Sequence, residues 1–121
     1  MTTKPDFSNI LGAAHAAAKI AVAAIAHEEG SRGLDCGFAW VVIEGNDPLA
    51  RFCRREVKAA EKFGTRASSS FGSKGYPSGW QFWCPGEFRG QSVHILEAGA
   101  RAFRDALATH GIRATVNSRL D

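Results

Sequence analysis

The sequence predicts a two-layer sandwich of the α/β or α+β class, with a small mixed or antiparallel sheet of three to four strands and three helices mainly on one face. Three observations carry that prediction. The run from Cys36 to Gly45, Cys-Gly-Phe-Ala-Trp-Val-Val-Ile-Glu-Gly, is apolar on both sides of an extended chain. Phe38, Trp40, Val42 and Glu44 point one way, and Gly37, Ala39, Val41 and Ile43 the other. A strand greasy on both sides belongs in the middle of a sheet with at least one face covered by helices. Apolar residues recur at helical spacing in three other stretches, and near its end the chain alternates Ile112, Ala114 and Val116 with Arg113, Thr115 and Asn117, the pattern of a strand with one wet face. The element order is then helix, strand, helix, strand, helix, strand.

Residues 1–8 read as a polar lead, with Asp6 or Ser8 placed to cap a helix from Asn9 to about Glu29. The stripe of that helix is Leu11, Ala14, Ala18, Val22 and Ile25, small enough to let a neighbour approach closely, and His15, Lys19 and His27 read as its solvated face. His15 and Lys19 interrupt the apolar run, which falls short of the about 20 residues a membrane span needs, and Lys19 sits where a signal peptide should be apolar. The expectation is a cytoplasmic protein with no membrane contact. Gly30 and Gly33 mark a connector before the central strand.

The second helix has the clearest start. Asn46 or Asp47 caps it, Pro48 takes the first position, where a missing N–H costs nothing, and Gly64 closes it. Leu49, Phe52, Cys53, Val57, Ala60 and Phe63 form its inward stripe, and Arg51, Arg55, Lys58 and Lys62 form a basic ridge opposite, with Arg54 beside it. From Thr65 to Ser78 the composition turns to Ser, Gly, Lys and Arg without periodicity, which reads as a mobile loop. Gly79 to Cys84 is a second strand stopped by Pro85 and Gly86, with Trp80, Phe82 and Cys84 on one face and Gln81 and Trp83 on the other. Gln91 to Ile95 can add a short strand before a third helix with the stripe Leu96, Gly99, Ala100, Phe103, Ala106 and Leu107, stopped by Gly111.

Composition bounds the function. A chain of 121 residues with 45% hydrophobic and 22% charged residues is one globular domain spanning 1–121. A net charge of +3 and a pI near 9.0 permit nucleic acid or an acidic protein as partner. Cys36, Cys53 and Cys84 are odd in number and widely spaced, which suits a reducing compartment, with Cys36 and Cys53 in the core.

The basic ridge of Arg51, Arg54, Arg55, Lys58 and Lys62 is the leading candidate site, because lysine and arginine position phosphates before any base is read. Its competitor is an ordinary solvated helix face salted by Glu56 and Glu61. Lys74, Tyr76 and Trp80 add a cation and aromatics able to stack bases, although alternation sends Trp80 and Trp83 to opposite faces, so at most one of them stacks. No Gly-x-x-x-x-Gly-Lys-Ser/Thr run exists, and no cofactor motif is found. The enzyme alternative places a nucleophile at Cys84 with His94 and Glu97, or Glu87, around the Pro85 to Gly90 turn. A metal site from His94, Cys84 and Cys36 needs the two cysteine strands to be neighbours, and no metal is expected. A third reading is a homo-oligomer assembled through the alanine-rich first helix, with the oligomeric state open.

The segments Cys36-Gly-Phe-Ala-Trp-Val, Trp80-Gln-Phe-Trp-Cys-Pro, Gln91-Ser92, Glu97-Ala-Gly-Ala100 and Asn117-Ser-Arg-Leu-Asp121 resemble small uncharacterised proteins carried by bacteriophages and prophages. The resemblance covers roughly residues 36–121. It implies a phage or mobile-element origin and no assigned activity, so it transfers no functional residue.

Overall fold

In the computed structural model, which describes residues 6–29 (backbone alone for 27–29), 37–75, 78–86 and 92–120, the first helix opens on Asp6. The Asp6 carboxylate accepts the Asn9 backbone N–H at 3.2 Å and the Asn9 side-chain amide at 2.8 Å, satisfying a donor that the helix start leaves unpaired. Helix α1 therefore runs Phe7–Glu29, and the polar lead ends at Asp6, two residues earlier than expected. Leu11, Ala14, Ala18 and Val22 are buried as the stripe predicts, with Ile25 half-buried. His15 does not belong to the wet face. It is half-buried, with Nε2 2.8 Å from the Ser70 carbonyl oxygen and its ring edge-on to Phe103 at 4.8 Å. The reason is its position four residues after Leu11, one turn along the same face. The segment Phe7–Ala26, 20 residues long, is also apolar enough to cross a membrane by length and composition alone. The reading that the run falls short is corrected to that extent, because alanines and isoleucines outweigh the two polar interruptions.

Strand β1 (Gly37–Ile43) is central as expected. The sheet has four strands in the order β2-β3-β1-β4, with β2 Ser73–Lys74, β3 Trp80–Trp83 and β4 Ala114–Leu120, and every pairing is antiparallel. Ala39, Val41 and Ile43 share a buried cluster with Trp80 and Phe82 of β3, with Leu11, Ala14 and Ala18 of α1, and with residues of two further helices, α2 (Pro48–Lys62) and α3 (Val93–Ala108). Among the described residues the fold is thus mixed α+β, three helices with a four-stranded antiparallel sheet.

Asp47 caps α2, its Oδ1 accepting the Leu49 N–H at 2.8 Å, and Pro48 follows in the first turn. At the other end Gly64 takes φ 73°, which lets the Thr65 N–H reach the Ala60 carbonyl at 2.9 Å and its own N–H reach Glu61. Phe63 falls outside the last turn and is 81% exposed, so its assignment to the inward stripe is wrong. Helix α3 ends the same way, with the Ile112 N–H on the Leu107 carbonyl and the Ile112 side chain buried.

Two expectations about connections fail. The 65–78 stretch, read as a structureless loop, carries a 3-10 turn at Ser69–Phe71 and then β2. Ser68 caps that turn through Ser70, and the Trp80 indole Nε1–H donates to the Phe71 carbonyl at 2.7 Å, long-range fastenings that local composition does not reveal. The extra strand is therefore β2, and the expected strand at Gln91 to Ile95 is reduced to a bridge at Ser92 before the first turn of α3, whose Leu96 N–H bonds the Ser92 carbonyl at 3.0 Å; Gln91 itself lies outside the described residues. Strand β4 also continues through Ser118 and Arg119 to Leu120, positions expected to be tail, because they pair with Ala39, Phe38 and Gly37.

Two glycines separate helix propensity from packing. A Cβ on Gly99 of α3 would lie 2.5 Å from the Pro85 carbonyl oxygen and 2.7 Å from Val22 Cγ2, whereas one on Gly12 of α1 meets nothing within 4 Å. Gly12→Ala is expected to stabilise the protein by about 1 kcal/mol through helix propensity. Gly99→Ala is expected to destabilise it by about 1–3 kcal/mol through overpacking. Urea unfolding midpoints followed by tryptophan emission measure both.

Candidate functional site

The ridge on α2 follows from what the helix buries. Leu49, Ala50 and Cys53 are each 0% exposed, which fixes the rotation of the helix and turns Arg51, Arg55, Lys58 and Lys62 to solvent. Over the intervening residues the ridge is about 16 Å long. Among the described residues, the ion pairs are Arg101 with Glu97 at 3.7 Å and Arg104 with Asp105 at 3.0 Å, so none of the four ridge cations is neutralised by a described carboxylate. Arg66 and Lys74 are exposed as well.

Arg54 does not join them. Its Nη2 donates to the Gly45 carbonyl at 3.1 Å and its guanidinium lies 5.5 Å from the centre of the Trp80 ring, so it tethers α2 to the sheet. Residue 54 stands about 60° around the helix from Arg51, on the flank of buried Ala50, and its side chain turns inward to these partners. Tyr76 lies outside the described residues. Trp80 is 5% exposed with its indole N–H satisfied inside, so it offers no stacking surface and is withdrawn from the candidate site.

The exposed tryptophan is Trp83, 49% open. It faces the side of the sheet opposite Val41 and Phe82, together with Phe38 and Trp40 of β1, both half-buried. Trp40 and Trp83 stand directly opposite in register, their ring centres 5.2 Å apart and their planes 20° from parallel. Phe38 is 5.4 Å from Trp83, and Arg119, its partner on β4, carries its guanidinium 5.7 Å from the Phe38 ring. Sequence reasoning missed this cluster. Alternation put Phe38 with Trp40 and separated Trp80 from Trp83, but only the strand pairing shows which of those faces coincide.

The enzyme alternative gains no support from the groove at Cys84. Cys84, at the end of β3 with φ 44°, lines a groove of about 360 Å³ with His15, Lys19 and the 3-10 turn, and neither His94 nor Glu97 lines it. His94 is exposed at the start of α3, and Glu97 pairs with Arg101. Burial pushes the Cys84 thiol up, only partly offset by a backbone hydrogen bond at Ala39, whereas a nucleophile needs its thiolate favoured. Glu87 and Cys36 lie outside the described residues, and among the described residues no group of three or more His, Cys, Asp or Glu is placed to hold a metal ion. The outward side of α1, including Gly12, Ala16 and Ile20, is exposed, so no other described part of the chain covers the surface that the oligomer reading would use.

Comparison with protein-family models, with curated proteins and with solved structures gives no match.

Cys84 is expected to react with iodoacetamide at neutral pH more slowly than free cysteine, measured as a site-resolved rate by mass spectrometry; a faster rate restores the enzyme reading. Cys53 yields a pH dependence. Burial, with the charge of Glu56, pushes its thiol up to about 12 from an ordinary 9.0, so the folded state holds it neutral where the unfolded chain ionises. Its contribution to stability is full below pH about 9 and is lost as pH rises toward about 12, at about 1.4 kcal/mol per pH unit. Cys53→Ala is expected to flatten that part of the decline, read from urea midpoints across alkaline pH.

Proposed function

We propose that the chain is a small, non-enzymatic binding module of phage type that holds nucleic acid along the exposed face of α2. The phage attribution rests on the sequence resemblance alone. The observation that carries the binding reading is the ridge itself: Arg51, Arg55, Lys58 and Lys62 project from one rigid helix and are paired with no described carboxylate. Cations set on a helix lose less freedom on binding than cations on a loop. With phosphates spaced about 3.4 Å along one strand of B-form DNA, a ridge of about 16 Å lies alongside about five of them. Arg66, just past the end of α2, and Lys74 on β2 are further exposed cations.

Counterion release makes the reading quantitative. If all four cations neutralise a phosphate, log affinity falls against log salt with a slope of about −2.8 for a single strand and about −3.6 for a duplex. Raising salt from about 50 to about 200 mM then weakens binding about 50-fold and about 150-fold respectively. The experiment is anisotropy of labelled single and double strands with the full chain and with a variant carrying Arg51, Arg55, Lys58 and Lys62 all replaced by alanine. The variant is expected to fold, because these side chains are exposed, and to lose most of the salt dependence. Absence of binding at low salt, or binding that the variant retains, overturns the proposal, and an acidic protein then becomes the partner to test.

A further inference from the structure

We infer that the face of the sheet bearing Phe38, Trp40 and Trp83 is a stacking platform for unpaired bases of the strand held by α2, an inference that rests on the nucleic-acid reading of that helix. The strand pairing builds the platform. Trp40 and Trp83 lie stacked, 5.2 Å between centres and 20° between planes, and Phe38 adjoins Trp83 at 5.4 Å, so three rings form one continuous patch. Trp83 keeps 49% of its surface open. A large ring left this exposed gains by covering its face with another planar apolar surface, and every nucleobase has one.

Two features favour a base over a second copy of the chain. The groups in register beside the rings are amides, a hydroxyl and a guanidinium: Gln81 opposite Val42 on β3, and Thr115, Asn117 and Arg119 on β4. These are donors and acceptors suited to base edges and backbone, and stacking on a sheet flanked by such groups is how single strands are held. The charges beside the rings are balanced, Arg119 and Arg66 against Glu44 and Glu61. Finally, Val57 and Glu61 of α2 line one groove of about 660 Å³ with Arg66, Ser73 and Trp83, so the flank of that helix and the exposed ring border one concave surface.

The test titrates the full chain with an oligothymidylate of about 15 nucleotides, the matching oligouridylate, an abasic deoxyribose-phosphate strand of equal length and a mixed-sequence duplex, reading tryptophan emission and anisotropy. Both oligonucleotides are expected to quench emission and to bind about 5- to 150-fold more tightly than the abasic strand, the worth of one stacked base. Trp83→Leu is expected to reduce them to the abasic level while leaving abasic binding and its salt slope intact, and Trp83→Phe to restore most of the difference, which separates stacking from misfolding. Equal affinity for abasic and base-bearing strands, or a Trp83→Leu variant that binds as before, overturns the platform and leaves the α2 reading standing. No binding to any strand or to the duplex at low salt removes both. A concentration-dependent dimer that Trp83→Leu dissociates assigns this face to a second copy and overturns the inference.

Discussion

Close approach of α3 to the sheet is the constraint on which the rest of the molecule depends. A Cβ on Gly37 would stand 3.0 Å from Val93 Cβ, so the start of α3 rests almost directly on the β1 backbone. Ala39, the next residue on that side, is fully buried, and on the far side of α3 Gly99 leaves room for Val22 of α1 and the Pro85 carbonyl. Small side chains at these points let backbone layers come together, and dispersion between them replaces the area that larger residues would have buried. Core volume comes instead from Phe82, Phe103, Ile43 and Leu107 around the contact. The two largest rings of β1, Phe38 and Trp40, stand on the side away from this contact.

Helix α2 is attached differently. Its capping aspartate, the buried trio Leu49, Ala50 and Cys53, and the Arg54 bridge to Gly45 and the Trp80 ring hold it against the same core. Aromatic contacts of Phe52 with Phe7 and Phe71 tie it also to the start of α1 and to the 3-10 turn. A helix fastened on its inward side at so many points presents its outward side in one fixed orientation. The cation that gave up solvent for this purpose, Arg54, stands on the flank of the ridge nearest the sheet.

Much of this architecture was legible in the chain. Both faces of β1, the capped start and glycine stop of α2, the stripe of α3 and the final alternation are local patterns, and local patterns report secondary structure. What could not be read were relations between distant segments. His15 was assigned to water although it lies one turn from Leu11, because its chemistry suggested solvent and its partner, Ser70, is 55 residues away. Strand β2 is two residues long and exists only because Trp80 and Gln81 are there to pair with. The ridge of α2 was visible because helical phase alone decides it. The ring cluster was not, since whether Trp83 meets Trp40 is a matter of strand order and register, and a sequence of this kind specifies neither on its own.

The His15 contact has a consequence in proton accounting. A carbonyl oxygen can only accept, so the ring must donate from Nε2 to Ser70. The neutral ring meets that requirement as the tautomer with its proton on Nε2. Ser69, which the turn contributes to the groove wall beside Trp83, is thus held in place from the first helix through the neighbouring Ser70 carbonyl.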